Sequence, residues 1–305
     1  MKRKFKTKRH FKFKNIIIIS LIYLSFSITY NTLYKIHIKK MDTNTLINKV
    51  IEDSKNNTSK STFLDKYKSP DYLIKLTLDI DLTEQLTKEE PKEELTINEN
   101  KGVDILIYNT HDQESYNDSR FNNYNIIPDV KLTSNILEEK LNDKGLTTYV
   151  ERTSIKSILK QNSWNYAKSY QASRKLIEPL IKNNNYKLII DIHRDSSSLE
   201  KTLLNYNNKS YAKVLFVIGT EYNTYDENLK LATKLNDILK EKVPGISRGI
   251  IKKGGVGVNG IYNQDLSNRL LVIEIGGQYN KIEDIYNTTE LLSEAILILL
   301  EGETN

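Results

Sequence analysis

From residue 102 onward, short apolar runs alternate with longer stretches in which apolar residues recur every three or four positions. This pattern predicts strands at 103–108, 146–150, 187–192, 212–218, 246–251 and 270–275. It predicts helices at 129–144, 163–182, 227–240 and 283–300. The first helix carries Val130, Ile136, Leu137 and Leu141 on one side and stops at Gly145, and Ser163 is placed to cap the second. Alternation of this kind predicts an α/β domain over 101–305, with a mostly parallel central sheet and helices on both faces. The runs Leu188-Ile-Ile and Leu271-Val-Ile suit strands buried on both sides. In such sheets ligands collect just past the carboxyl ends of the strands. Three predicted strand ends carry chemistry: His111 and Glu114 after the first, His193 after the third, and Glu274 in the last, which runs into a diglycine.

The pattern upstream is different. Residues 1–14 are basic, and an apolar stretch from 16 reaches the length of a membrane span only if continued to Tyr34. We expect a cytoplasmic tail at 1–14, a single-pass anchor at 15–34, a stalk at 35–100 and an extracytoplasmic domain thereafter. A cleaved signal peptide is the alternative, but no alanine occurs before Ala167 to form an Ala-x-Ala-like site. The stalk is polar, and Thr87-Lys-Glu-Glu-Pro-Lys-Glu-Glu94 is too charged to pack. An apolar patch around 72–82 suits either a short strand or a partner-binding segment.

This division changes the meaning of the charge. The formal net charge is +6, from 45 Lys and Arg against 39 Asp and Glu. Eleven of the basic residues lie in 1–40, which holds no acid, so the remainder has 34 against 39. The basicity belongs to the leader and gives no reason to expect nucleic-acid binding. Cysteine is absent, which excludes disulfides, thiolate nucleophiles and thiolate metal ligands. The four histidines are His10, His37, His111 and His193, and only the last two fall in the predicted domain. The glycine-rich stretch Lys253-Gly-Gly-Val-Gly-Val-Asn-Gly260 lacks the Gly-Lys-Ser/Thr ending of a phosphate loop and is expected to form a loop at the rim of the site.

His111-x-x-Glu114 on a loop leaving a strand lets an imidazole and a carboxylate converge on one cation, and His193 completes a two-His, one-carboxylate set. Zinc suits such N and O donors and keeps a fourth position for water. Glu274 is placed to move protons during hydrolysis. Asp191 or Asp195 can orient His193, and Arg194 and Arg269 are candidates to polarise a carbonyl or bind a substrate carboxylate. Each has a plainer role too. A strand-end histidine often serves structure, Glu274 can pair with Arg269, and Asp191-Ile-His-Arg-Asp195 can be an ion-pair cluster.

The blocks Ile107-Tyr-Asn-Thr-His-Asp-Gln-Glu-Ser-Tyr116, Asp191-Ile-His-Arg-Asp-Ser196, Tyr262-Asn-Gln-Asp-Leu-Ser267 and Leu271-Val-Ile-Glu-Ile-Gly-Gly277 resemble, in that order, the stage II sporulation protein P family. The resemblance covers roughly residues 100–300, and the basic leader and stalk fit it. It implies a fold like that of zinc-dependent N-acetylmuramoyl-L-alanine amidases and a membrane-anchored peptidoglycan hydrolase. Such an enzyme cuts the bond between N-acetylmuramic acid and L-alanine, in some members also stem-peptide cross-links, during forespore engulfment. The implied partner is a lytic transglycosylase of the stage II sporulation protein D type. By the same resemblance His111 and His193 are zinc histidines, Glu274 is the catalytic glutamate and Glu114 the third ligand. Glu138 or Glu139 competes with Glu114, because the corresponding carboxylate of related amidases lies further along the chain. The family usually has His-Thr-His where this chain has Asn109-Thr110-His111. Two other functions stay open: a cell-wall-binding or partner-docking protein with a non-catalytic site, and a zinc carboxypeptidase.

Overall fold

The computed structural model describes residues 102–118 and 128–302. The expected tail, anchor and stalk, with His10 and His37, lie outside those residues. Among the described residues no helix is long and apolar enough to cross a membrane.

The predicted α/β architecture is present. In chain order the elements are β1 (Ile105–Tyr108), α1 (Val130–Asp143), β2 (Thr148–Val150), α2 (Ile155–Gln161), α3 (Ser169–Asn183), β3 (Leu188–Asp195), α4 (Leu199–Thr202), β4 (Leu203–Tyr206), β5 (Lys209–Ala212), β6 (Val214–Gly219), α5 (Tyr225–Lys242), β7 (Ser247–Lys253), β8 (Leu270–Gly277) and α6 (Ile282–Glu301). Single 3-10 turns precede α3 at Tyr166–Lys168 and β8 at Gln264–Leu266. Six strands form one sheet in the order β2-β1-β3-β8-β6-β7, and β4 pairs with β5 in a separate hairpin. β2, β1, β3 and β8 run parallel, while β6 is antiparallel to β8 and parallel to β7. The sheet is thus mostly parallel, with a reversed pair at one edge. An apolar run reports that a strand is buried but carries no sign of its direction.

The alternation of side chains along each strand divides the sheet into two unlike faces. On one face Ile105, Ile107, Leu188, Ile190, Ile192, Leu271, Ile273, Ile275, Phe216 and Ile218 are buried. There α6 lies against both α1 and α5. On the other face Leu106, Ile189, Leu270, Val272 and Val217 form a core with Ile177 and Leu180 of α3. Following that second face toward the carboxyl ends of β3 and β8 leads to Asp191, His193 and Glu274. The register aligns His193 with Glu274, so these two side chains are neighbours across parallel strands.

Local signals explain most element ends. Asp129 caps α1 by accepting from the N–H groups of Lys131 and Leu132 at 3.0 and 3.1 Å. Gly145 follows α1 at φ +82°, the left-handed conformation that ends helices. Ser163 does not cap α3 as the sequence suggested. It stands at φ +54° in the connection from α2, and α3 starts six residues later at Ser169. The pattern also missed α2, α4 and the β4–β5 hairpin, elements of four to seven residues that are too short to show a period.

Gly219, at the end of β6, lies under the glycine-rich loop. A Cβ there would meet the carbonyl oxygen of Gly260 at 2.4 Å. Because the obstacle is backbone, Gly219→Ala is expected to destabilise the domain by about 1–3 kcal/mol, the usual cost of overpacking. A chemical denaturation midpoint equal to that of the parent would show that the loop moves aside freely.

Candidate metal centre

The site is assembled from the ends of β1, β3 and β8. The loop after β1 turns back on itself, with the Glu114 N–H donating to the His111 carbonyl at 3.0 Å, so the two side chains of His-x-x-Glu face each other. His111 Nδ1 lies 3.3 Å from Glu114 Oε1, and His193 Nδ1 lies 3.5 Å from Glu114 Oε2. One ligand atom each from His111, Glu114 and His193 falls within 4.8 Å of the others. Ligands of a tetrahedral zinc ion stand roughly 3.5 Å apart, so a small inward movement would close the set. The two imidazole centroids are 5.0 Å apart and nearly perpendicular.

Asp191 supports this cluster from beneath. Its side chain is fully buried. Its Oδ1 accepts from the Thr110 N–H at 2.9 Å, and its Oδ2 accepts from the Thr110 hydroxyl at 2.7 Å. The same Oδ2 lies 3.1 Å from His193 Nε2, within reach of an ion pair but out of line for a hydrogen bond. His193 thus turns one nitrogen to Glu114 and the other to Asp191, the arrangement in which a carboxylate fixes the tautomer of a metal-binding histidine.

The electrostatics favour a cation. Burial works against the charged form of His193, yet Asp191 and Glu114 outweigh it and raise its pKa well above that of a free imidazole. Burial also acts to raise the Glu114 carboxyl, but hydrogen bonds from His111 and His193, the His193 charge and the Arg194 N–H hold it far below the usual carboxylate range. Two imidazoles among three carboxylates draw positive charge, which a divalent ion can supply in place of protons. Glu274 lies in the same field. Burial raises its pKa, the His193 charge lowers it, and Glu114 and Asp195 raise it further. Its Oε2 is buried without a hydrogen-bond partner, as is His193 Nε2. Buried polar atoms are rarely left unpaired, and the Glu274 oxygen fits a place for water beside the cluster.

The other residues singled out in the sequence divide. Arg194 touches the site through its backbone, whose N–H donates to Glu114 Oε2 at 2.9 Å. Its guanidinium is committed to the carbonyls of Ser115 and Asp195 at 3.0 and 3.3 Å. Asp195 does not orient His193. It pairs with Arg248 of β7 and accepts from the Ser197 N–H at 2.9 Å. Arg269 precedes β8, five residues from Glu274, so an extended chain separates them by about 16 Å. It lines a cavity of about 480 Å³ with Lys187 and Asn268 at the far end of the sheet, where it can neither pair with Glu274 nor reach the cluster. Glu138 is held by Arg152, and neither it nor Glu139 belongs to the gathered set.

Asn109 is almost wholly buried, and its amide is used up. Nδ2 donates to the Ile192 carbonyl at 2.9 Å and lies 3.4 Å from that of Val130, while Oδ1 accepts from the Ser134 hydroxyl at 2.9 Å. Here the position ties β1 to β3 and α1.

Several neighbours were not foreseen. Tyr166 stacks on His111 with centroids 4.9 Å apart, and Tyr170 meets the same ring edge-on at 5.4 Å. Tyr262 in turn packs edge-on against Tyr170 at 5.3 Å. Tyr262 and Asn263 both have left-handed backbone, at φ +55° and +58°, and Asn263 Nδ2 reaches the Ser173 hydroxyl at 3.0 Å. Their block was marked by resemblance alone. Consecutive non-glycine residues in this strained conformation cluster at functional sites, but their identities do not announce it. The glycine-rich loop that precedes them follows Lys253, whose charge acts on Glu274.

Residues 23–297 match the family model described as Stage II sporulation protein P (SpoIIP). The Stage II sporulation protein P of Bacillus subtilis (strain 168) is 38% identical over 192 residues. That match covers 59% of this chain and 47% of the relative, so it spans about half of the relative's length. Among solved structures, the CwlD amidase from Clostridioides difficile, in complex with the GerS lipoprotein, superposes with a TM-score of 0.43 at 15% identity, over 66% of this chain and 98% of that one. An N-acetylmuramoyl-L-alanine amidase from Clostridium difficile 630 gives 0.41 at 14% identity, over 67% and 98%. With its four sequence blocks in order and a family match over most of its length, the chain belongs to the stage II sporulation protein P family.

Proposed function

We propose that this protein is a zinc-dependent peptidoglycan hydrolase that cleaves the N-acetylmuramoyl-L-alanine amide bond. The observation that carries this is the convergence of His111, Glu114 and His193 beside Glu274, whose Oε2 is buried and unpartnered, in a chain of this family. His111, Glu114 and His193 would hold the ion. When bound, zinc supplies positive charge that polarises an amide carbonyl and makes water acidic enough to attack near neutral pH. Glu274 receives a proton from the attacking water at its carboxylate and delivers it to the alanine nitrogen as the C–N bond breaks. Asp191 holds His193 in place, and the Arg194 N–H holds Glu114. The sporulation role, the engulfing membrane as location, and a lytic transglycosylase as partner follow from family membership and belong to the same proposal.

A carboxypeptidase needs an arginine to grip a terminal carboxylate. Arg194 is committed to carbonyl groups and Arg269 lies at the other end of the sheet, so neither candidate taken from the sequence favours that chemistry. The test is mass spectrometry of purified sacculi digested with the full chain. Free stem peptides, abolished by a chelator and restored by zinc, are expected. Release of terminal amino acids alone, or digestion indifferent to the chelator, would refute the proposal.

A further inference from the structure

The connection between α2 and α3 is built to hold one aromatic ring beside the metal centre. It turns at Ser163, a non-glycine residue at φ +54°. Trp164 then anchors it. The Trp164 N–H donates to the Leu159 carbonyl at 2.8 Å, and its ring packs on the small core of Ile155, Ile158, Leu159 and Ala172. Lys175 Nζ sits 4.4 Å above the same ring. Downstream, the Ser169 hydroxyl donates to the Tyr166 carbonyl at 2.7 Å. Between these fixed points Tyr166 lies nearly parallel to His111, at 28°. It is nevertheless half exposed, at 50%, whereas its neighbour Tyr262 is 7% exposed. One side of the Tyr166 ring covers the candidate ligand and the rest faces solvent.

A single exposed aromatic is ordinary on a protein surface. This one is held from both sides and lies against the candidate centre. A fixed aromatic face binds a flat ligand with little loss of conformational freedom. If the substrate is peptidoglycan, its peptide stems carry small or charged side chains. The groups that offer a flat face of C–H bonds are its sugar rings. We propose that the outward face of Tyr166 binds a pyranose ring of the glycan strand, forming a sugar subsite next to the hydrolytic centre. This rests on the proposed function for the identity of the substrate. It adds that the enzyme grips the glycan as well as the amide bond.

The test uses the full chain carrying Glu274→Gln, which prevents turnover, with binding read by calorimetry. One probe is a peptide-free β-1,4-linked N-acetylglucosamine tetramer, and the other is a sugar-free stem tripeptide. Tyr166→Ala should weaken tetramer binding by about ten-fold and leave tripeptide binding unchanged. Tyr166→Phe should keep tetramer binding within about two-fold, because the ring and not the hydroxyl makes the contact. The inference is overturned if the parent does not bind the tetramer, if Tyr166→Ala binds it equally well, or if both probes weaken together. The last result would mean that Tyr166 only supports His111. Wild-type protein that fails to cut sacculi, with Tyr166-dependent tetramer binding intact, would refute the proposed function alone. Active wild-type protein with tetramer binding indifferent to Tyr166→Ala would refute this inference alone.

Discussion

Glu274→Gln in the full chain is expected to lower the rate of stem-peptide release by about 10²–10⁴-fold, the usual contribution of a positioned acid–base group. Glutamine keeps the size of the side chain, and the position lies in a strand whose other residues are apolar and buried. The fold and zinc content should therefore be unchanged. What is lost is an oxygen able to take a proton from water and pass it to nitrogen. The substitution also removes a negative charge from a buried position, so thermal stability should stay equal or rise slightly. A large loss of stability would point instead to a structural role for the carboxylate. Retention of full activity would remove Glu274 from the mechanism.

Asp191→Asn is expected to act one layer further out. As a carboxylate, Asp191 accepts from the Thr110 N–H and hydroxyl and faces His193 Nε2. With an ion bound, that carboxylate would favour the imidazole proton on Nε2 and leave Nδ1, the nitrogen on the Glu114 side, to donate its lone pair. An asparagine amide turned toward Nε2 offers a hydrogen where an acceptor stood. The favoured tautomer then puts the proton on Nδ1 and blocks it as a ligand. Zinc affinity should fall about 10–100-fold, as is usual when such a support is removed, and activity should recover at high zinc. Competition with a chromogenic chelator measures the affinity. Unchanged affinity would show that the tautomer of His193 is fixed by something other than Asp191.

Much of this arrangement is legible in the sequence. His111, His193 and Glu274 stood out because histidine is scarce in the chain and because an acid in an apolar strand needs a reason. That Asp191, His193 and Glu274 share a face follows from period-two alternation only once the structure sets β3 and β8 side by side in register. Strand order and the reversed pair at the edge were not legible, because an apolar run does not name its neighbour. Arg269 is a different case, because its five-residue offset from Glu274 by itself sets it about 16 Å away. Like strand order, the aromatic wall was invisible in the sequence. Tyr166, Tyr170 and Tyr262 come from a 3-10 turn, a helix start and a strained loop, and the chain contains 19 tyrosines. Asn109 illustrates the converse. The sequence marked it as a departure, and the structure gives its amide three partners that have nothing to do with a metal.

The most direct measurement is the zinc content of the purified full chain beside that of Glu114→Ala and Glu138→Ala, after dialysis against a weak chelator. About one equivalent should be held by the parent and by Glu138→Ala, and little by Glu114→Ala, because two histidines alone leave the three-ligand set of a catalytic site incomplete. Zinc retained by Glu114→Ala at the level of the parent would contradict the assignment of His111, Glu114 and His193 as the metal centre.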